Sequence, residues 1–313
     1  MGGSDVRGAI LALMATIVYY LGFIVFRVAA SRMPVLRGTQ PFRLIRYTYT
    51  NWLWMTGLIV VLGGVAIQVK ALTMLPLSIA QPIFASALVF PLFCAAVFFR
   101  ERLSGREWSC VALFGLATLL IGVSNGQGEV LTSSIATPLT LAFVVVPAVL
   151  VAFVVFVGGD IRSFGRHARP LSGVAYGIGS GVSLGVSELS LKGVAVVYND
   201  HGIAAAIYTT PYSYVAVGIA VLGFAQLQIG LQRCRLSIVT SVFTVTAKTQ
   251  LALLGPLLYS EAWPDDRLLI TLRLMAFGLA IIALVLFPRH EAVEDAPVVM
   301  LAQVREPRLT QRY

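Results

Sequence analysis

Three ionisable residues lie in segments of this chain that are otherwise apolar, and they are the residues most able to do chemistry. Glu188 and Lys192 interrupt the run SGVSLGVSELSLKGVAVV at 180–197, and Lys248 interrupts FTVTAKTQLAL at 243–253. A charged side chain at the centre of a bilayer costs about 2.5–3.5 kcal/mol on insertion scales. If these segments span a membrane, Glu188 and Lys248 must face the interior of a helix bundle or be neutral.

The spacing of these charges leaves several pairings open. Glu188 and Lys192 are separated by four residues and share one helix face, so Glu188 can pair with Lys192, with Lys248 across the bundle, or with each in turn. A permanent pair would fix helix register, whereas a pair that opens would line a transport path. In the second case Lys248 would exchange a proton against substrate or bind an anionic group. The residues predicted to form this path are Glu188, Lys192, Lys248, Thr244, Gln250 and Gln81.

The composition indicates the elements that must position these residues. Hydrophobic residues make up 58% of the 313, and charged residues only 12%, against about 25% charged in soluble domains. Several apolar runs reach the roughly 20 residues that a spanning helix needs. We therefore predict an all-α polytopic membrane protein with nine transmembrane helices. They lie near 8–30, 51–72, 76–99, 107–124, 137–157, 172–196, 211–231, 236–259 and 267–287.

The net charge of +9 is explained by arginines in alternate loops. Cytoplasmic loops of membrane proteins carry excess Lys and Arg, and this bias places the N-terminus outside and the C-terminus in the cytoplasm. The expected location is a bacterial plasma membrane, with no nucleic-acid partner. Lys70 and Lys192 lie near outer helix ends, where they can snorkel to the interface.

The two halves of the chain resemble each other. VVLGGVAIQVKAL at 60–72 is similar to AVLGFAQLQIGLQ at 220–232. We predict a first four-helix repeat at 1–136, a linking helix with a basic cytoplasmic loop at 137–171, and an inverted second repeat at 172–287. The tail at 288–313 is expected to be disordered and cytoplasmic. Inverted repeats are typical of secondary transporters, whose substrate path lies between the halves.

The segment SIAQPIFASALVFPLFCAAVFFRERLSGREWSCVALFGLATLLIGVS at 78–124 resembles the drug/metabolite transporter (EamA-like) superfamily, and most closely its NIPA-type magnesium transporter branch. The shared features are nine spans, a proline about nineteen residues before Glu101, and Gly105 and Cys110 after the turn. The resemblance implies a transporter of small solutes, with magnesium as one implied substrate. Mg²⁺ prefers several oxygen ligands, whereas this chain offers one deep carboxylate beside a lysine.

The remaining candidate residues would shape the path. Pro82, Pro91 and Pro211 can kink their helices, and Glu101 and Glu261 close the two repeats, where they would attract cations or cap helices. No clustered acid–base or metal constellation indicates an enzyme, and no cofactor is expected. We expect a secondary transporter that moves a small polar or anionic solute by alternating access. Two alternatives stay open: a NIPA-like Mg²⁺ transporter and a non-transporting subunit that assists a cell-envelope enzyme or exporter. Assembly as a homodimer or in a cell-envelope complex is also left open.

Overall fold

The computed structural model describes residues 3–34, 36, 40–75, 80, 83–84, 89–99, 105–124, 136–161, 168–259 and 266–286. Within this part of the chain the regular elements are all helices. The ten helices are α1 Gly3–Arg32, α2 Pro41–Thr50, α3 Trp52–Leu72, α4 Val89–Phe98, α5 Gly105–Ser124, α6 Pro138–Ile161, α7 Ala168–Tyr208, α8 Pro211–Arg233, α9 Leu236–Tyr259 and α10 Arg267–Leu286.

Among the described residues, six helices are long and apolar enough to cross a membrane, which indicates an integral membrane protein. They are Val6–Arg32, Trp52–Leu72, Leu139–Gly158, Val174–Tyr208, Pro211–Arg233 and Leu236–Tyr259. The other three predicted spans, at 76–99, 107–124 and 267–287, coincide in whole or in part with α4, α5 and α10. The count of nine spans therefore remains a prediction.

Between α1 and α3 lies a short helix, α2, that the search for long apolar runs could not find. Its ten residues are too few to cross a bilayer. Phe42 and Tyr49 project from it with exposed fractions of 87% and 62%, while Leu44 and Thr48 are buried. Asn51 ends α2 and caps α3, since its side chain accepts a hydrogen bond from the backbone N–H of Trp54 at 3.0 Å.

Prolines and one glycine lie both at a helix end and inside helices. Pro211 occupies the first turn of α8, where its missing N–H breaks no helical hydrogen bond, so the predicted kink there is wrong. Pro91 lies within α4, and Pro147 lies inside α6. Gly202 interrupts α7 with φ 82°, a left-handed conformation that glycine adopts without strain. Pro82 lies outside the described residues.

Glycines let the helices of each half approach closely. A Cβ placed on Gly64 of α3 would lie 2.8 Å from the backbone N of Tyr19 in α1. On α8, a Cβ at Gly223 would lie 2.6 Å from the Leu184 side chain of α7. The pairs α1–α3 and α7–α8 are therefore held at backbone contact, as small residues allow in membrane helices.

Gly64→Ala is expected to lower the free energy of unfolding by about 1–3 kcal/mol, because the added methyl must push backbone apart rather than a flexible side chain. Thermal unfolding of the purified protein in detergent measures this change. Gly63→Ala is the matched control, since nothing lies within 4 Å of a Cβ at that position. Equal melting temperatures for the two variants would contradict the close approach of α1 and α3.

Aromatic rings fill the core between the halves. Phe23 of α1 lies 5.4 Å from Phe243 of α9, and Phe26 lies 5.8 Å from Phe224 of α8, measured between ring centroids. Trp54 stacks on Phe26 at 5.3 Å. These five residues, which we call the aromatic stack, form one end of the cavity described next, because Phe224 and Phe243 also line it.

Candidate functional site

A cavity of about 120 Å³ lies between α1, α3, α7, α8 and α9. Its wall is mainly aliphatic and aromatic, and it includes Tyr19, Tyr20 and Phe84. Glu188 and Lys248 are the charged residues that line it, and Thr16, Gln68 and Ser187 add uncharged polar groups. A mainly apolar pocket with a few convergent polar groups is the usual form of a small-molecule site.

The ion pair in this cavity joins α7 to α9. Lys248 Nζ lies 2.6 Å from Glu188 Oε1, and each side chain is 13% exposed. Of the pairings that the sequence left open, the structure therefore has the one across the bundle. Because both groups line the cavity, a bound solute can reach either of them.

Two further contacts hold the pair. Gln68 of α3 donates from Nε2 to the same Glu188 oxygen at 2.6 Å, and Lys248 Nζ lies 5.1 Å from the centre of the Phe84 ring. The carboxylate is thus shared by an ammonium and an amide, and the ammonium also faces an aromatic ring, which attracts cations. Sequence reasoning missed Gln68, although a glutamine within the apolar run of α3 is a signal of the same kind as Lys248.

The other residues predicted for the path have different surroundings. Thr244 is fully buried, and its hydroxyl exchanges a hydrogen bond of 2.8 Å with Tyr20. Gln250 lies behind the cavity wall against Gly185, and its Oε1 atom is buried without a hydrogen-bond partner among the described residues. Neither residue lines the cavity. Gln81, Glu101 and Glu261 lie outside the described residues.

Lys192 does not snorkel, so that prediction is wrong. Its side chain is buried, and Nζ donates at 3.2 Å to the carbonyl oxygens of both Leu72 and Leu75. It therefore satisfies carbonyls at the C-terminal end of α3, where cations are favoured by the helix dipole. Fixed there, it does not line the cavity.

Arg27 makes the same kind of contact between α1 and α8. From α1, its Nη1 donates to Leu231 O and, at 2.9 Å, to Cys234 O at the C-terminal end of α8. In both cases the two carbonyls are three residues apart: Arg27 of α1 caps α8, and Lys192 of α7 caps α3. We call Arg27 and Lys192 the capping cations.

A second buried cation was not anticipated. Arg273 of α10 is 4% exposed, and its Nε lies 3.4 Å from the Ser124 hydroxyl at the end of α5. An arginine six residues inside an apolar run is visible in the sequence, as Lys248 is.

The described residues contain no group of three or more His, Cys, Asp or Glu that could hold a metal ion. Cys94, Cys110 and Cys234 are all buried, as expected for small core residues.

The fold and site define a polytopic helical membrane protein with a buried ion pair on an internal cavity. Compared with known proteins, the chain is 22% identical over 290 residues to the "Probable magnesium transporter NIPA9" of Arabidopsis thaliana, covering 88% of this chain and 80% of the relative. No protein-family model matches the chain, and no solved structure matches it.

Proposed function

We propose that this protein is a secondary membrane transporter of the drug/metabolite superfamily, and that its substrate binds in the cavity at Glu188 and Lys248. The observation that carries the proposal is the 2.6 Å ion pair on the wall of an internal cavity. Ionisable residues inside membrane bundles are costly, and they commonly mark substrate paths. Similarity to a plant protein named as a probable magnesium transporter supports the same class.

We further propose alternating access by two inverted repeats, 1–136 and 172–287, joined through 137–171. The matched positions of the capping cations support this arrangement, as do two matched pairs of contacts, each with one contact between α1 and α3 and one between α7 and α8. Gly64 packs on Tyr19 as Gly223 packs on Leu184. Likewise, Gly22 faces the carbonyl of Gly57, and Ser187 donates to the carbonyl of Ala216 at 2.9 Å.

The substrate we propose is a small polar or anionic solute. An anionic group would bind Lys248 after the pair opens, and hydroxyl and amide groups of the wall would bind its polar atoms. Mg²⁺ is the second candidate, favoured by the name of the relative. It would need Lys248 to leave Glu188 first, because the ammonium occupies the carboxylate oxygen and repels a divalent cation.

The proposed setting is a bacterial plasma membrane, with the N-terminus outside and the C-terminus cytoplasmic. The arginine-rich loops support this orientation. The rival function is that of a non-transporting subunit of a cell-envelope complex, which would need no accessible charged cavity.

Purified protein in liposomes tests the function. Solutes that raise its melting temperature, drawn from Mg²⁺, amino acids, amines and sugar nucleotides, are then assayed for flux. We expect flux of at least one polar solute, reduced at least tenfold in both Glu188→Gln and Lys248→Met because each removes one half of the binding pair.

The variants Glu188→Gln and Lys248→Met distinguish the candidate substrates and functions. Mg²⁺ flux that needs Glu188 but survives Lys248→Met would favour the magnesium alternative. Normal flux in both variants would remove the cavity from the path, and no flux of any solute would favour the subunit role.

A further inference from the structure

The cavity has its mouth between α3 and α8. Of the residues that line it, only Leu62 of α3 and Val217 of α8 are strongly exposed, at 55% and 67%. Each lies on the exposed face of its helix, beside the exposed residues Ile59 on α3 and Val221 on α8. Within the described residues, α3 packs mainly on α1 and α8 mainly on α7, and α3 and α8 make little contact with each other.

This mouth lies at the depth of the lipid tails. Leu62 is the central residue of α3, Trp52–Leu72, which at 1.5 Å per residue places it about 15 Å from either helix end. A bilayer has a hydrocarbon core of about 30 Å. A molecule entering between Leu62 and Val217 therefore comes from the membrane rather than from water.

The charges inside the cavity restrict which charged groups an entering molecule can carry. Glu188 and Lys248 neutralise each other. Removing one partner of a buried pair leaves the other charge without an ionic partner in a low-dielectric environment. A cation that binds Glu188 would leave Lys248 without an ionic partner, and an anion that binds Lys248 would leave Glu188 without one. A zwitterion inserted between them leaves both side chains paired.

We infer that the substrate is a zwitterionic amphiphile, a lipid whose headgroup carries an ammonium and a phosphate or carboxylate, admitted from the bilayer between α3 and α8. The inference rests on the proposed function, in which a substrate binds at Glu188 and Lys248, and it puts a zwitterionic lipid in the place of the small polar or anionic solute. The headgroup ammonium takes the place of the Lys248 ammonium, on Glu188 and facing Phe84, and the headgroup anion binds Lys248. The acyl chain lies along Leu62 and Val217.

Thermal shift of the detergent-purified protein with four probes tests the inference. Lauroyl lysophosphatidylethanolamine has the zwitterion and the tail. Lauroyl lysophosphatidylglycerol has an anionic head, dodecylammonium has a cationic head, and glycerophosphoethanolamine lacks a tail. We expect the first to bind with an apparent Kd at least tenfold below those of the other three.

Three variants test the mouth and the ion pair. Leu62→Trp should weaken binding of lysophosphatidylethanolamine at least tenfold by filling the mouth. Ile59→Trp, on the same exposed face of α3 but off the cavity wall, should leave it unchanged. The double variant Glu188→Gln with Lys248→Met, which strands no charge, should abolish the preference for the zwitterion.

Equal binding of the three tailed probes, equal binding of the tailless headgroup, or full binding in Leu62→Trp would each overturn the inference. These failures differ from failure of the proposed function. Flux of a water-soluble solute that depends on Glu188 would keep the transporter and reject only the lipid substrate.

Discussion

Lys248→Met is expected to lower the free energy of unfolding by about 3 kcal/mol, since truncating one member of a buried pair leaves the other charge uncompensated. Glu188 would keep the amide of Gln68, which donates at 2.6 Å, but lose its only ionic partner among the described residues. Equilibrium unfolding of the purified protein in mixed micelles, followed by the loss of helical circular dichroism, measures the change.

The double variant Glu188→Gln with Lys248→Met is the control. It removes both charges and keeps side chains of similar size, and replacing a whole buried pair by neutral groups is often neutral or stabilising. We expect it to recover most of the lost stability. If the double variant is as unstable as Lys248→Met, then Lys248 stabilises the fold through packing on Phe84 rather than through Glu188.

Lys192→Met is the second substitution with a large expected effect. It should cost about 1.5–3 kcal/mol, the usual range for hydrogen bonds made by a charged group, because the carbonyls of Leu72 and Leu75 lose their donor. The same unfolding measurement applies. Lys70→Met is the matched control, since Lys70 lies in the last turn of α3 but is exposed.

Equal destabilisation by the Lys70 and Lys192 substitutions would contradict this prediction. If Lys70→Met destabilises the protein as much as Lys192→Met, the stabilisation comes from general positive charge near the end of α3. The hydrogen bonds from the Lys192 ammonium would then add nothing measurable.

The sequence predicted the helices well, because membrane helices are defined by long apolar runs that need no tertiary information. The start of α3 at Trp52 and the bounds of α9 agree with the predicted spans at 51–72 and 236–259. It did not predict α2, whose apolar and basic residues form a stripe too short to register as a run. The inverted repeat stays a prediction that the paired contacts support.

For the site, the cost of an intramembrane charge identified Glu188 and Lys248, since such residues need a partner wherever the helices lie. That reasoning could not choose the partner. Lys192 was predicted to reach the interface because depth alone was considered, whereas the C-terminal end of α3 offers it carbonyls nearby. Gln68 and the mouth at Leu62 depend on which helix faces meet, and spacing within one segment does not encode that.

The aromatic stack has a consequence for how ions behave at this protein. Narrow hydrophobic constrictions exclude water and thereby block bare charges, and the rings of Phe23, Phe26, Phe224 and Phe243 lie within 5.4 to 6.5 Å of their neighbours. In this conformation a hydrated ion that reached the carboxylate would meet a dry barrier. The molecule should therefore work as a carrier with a turnover number, and planar bilayers containing it should show no unitary currents.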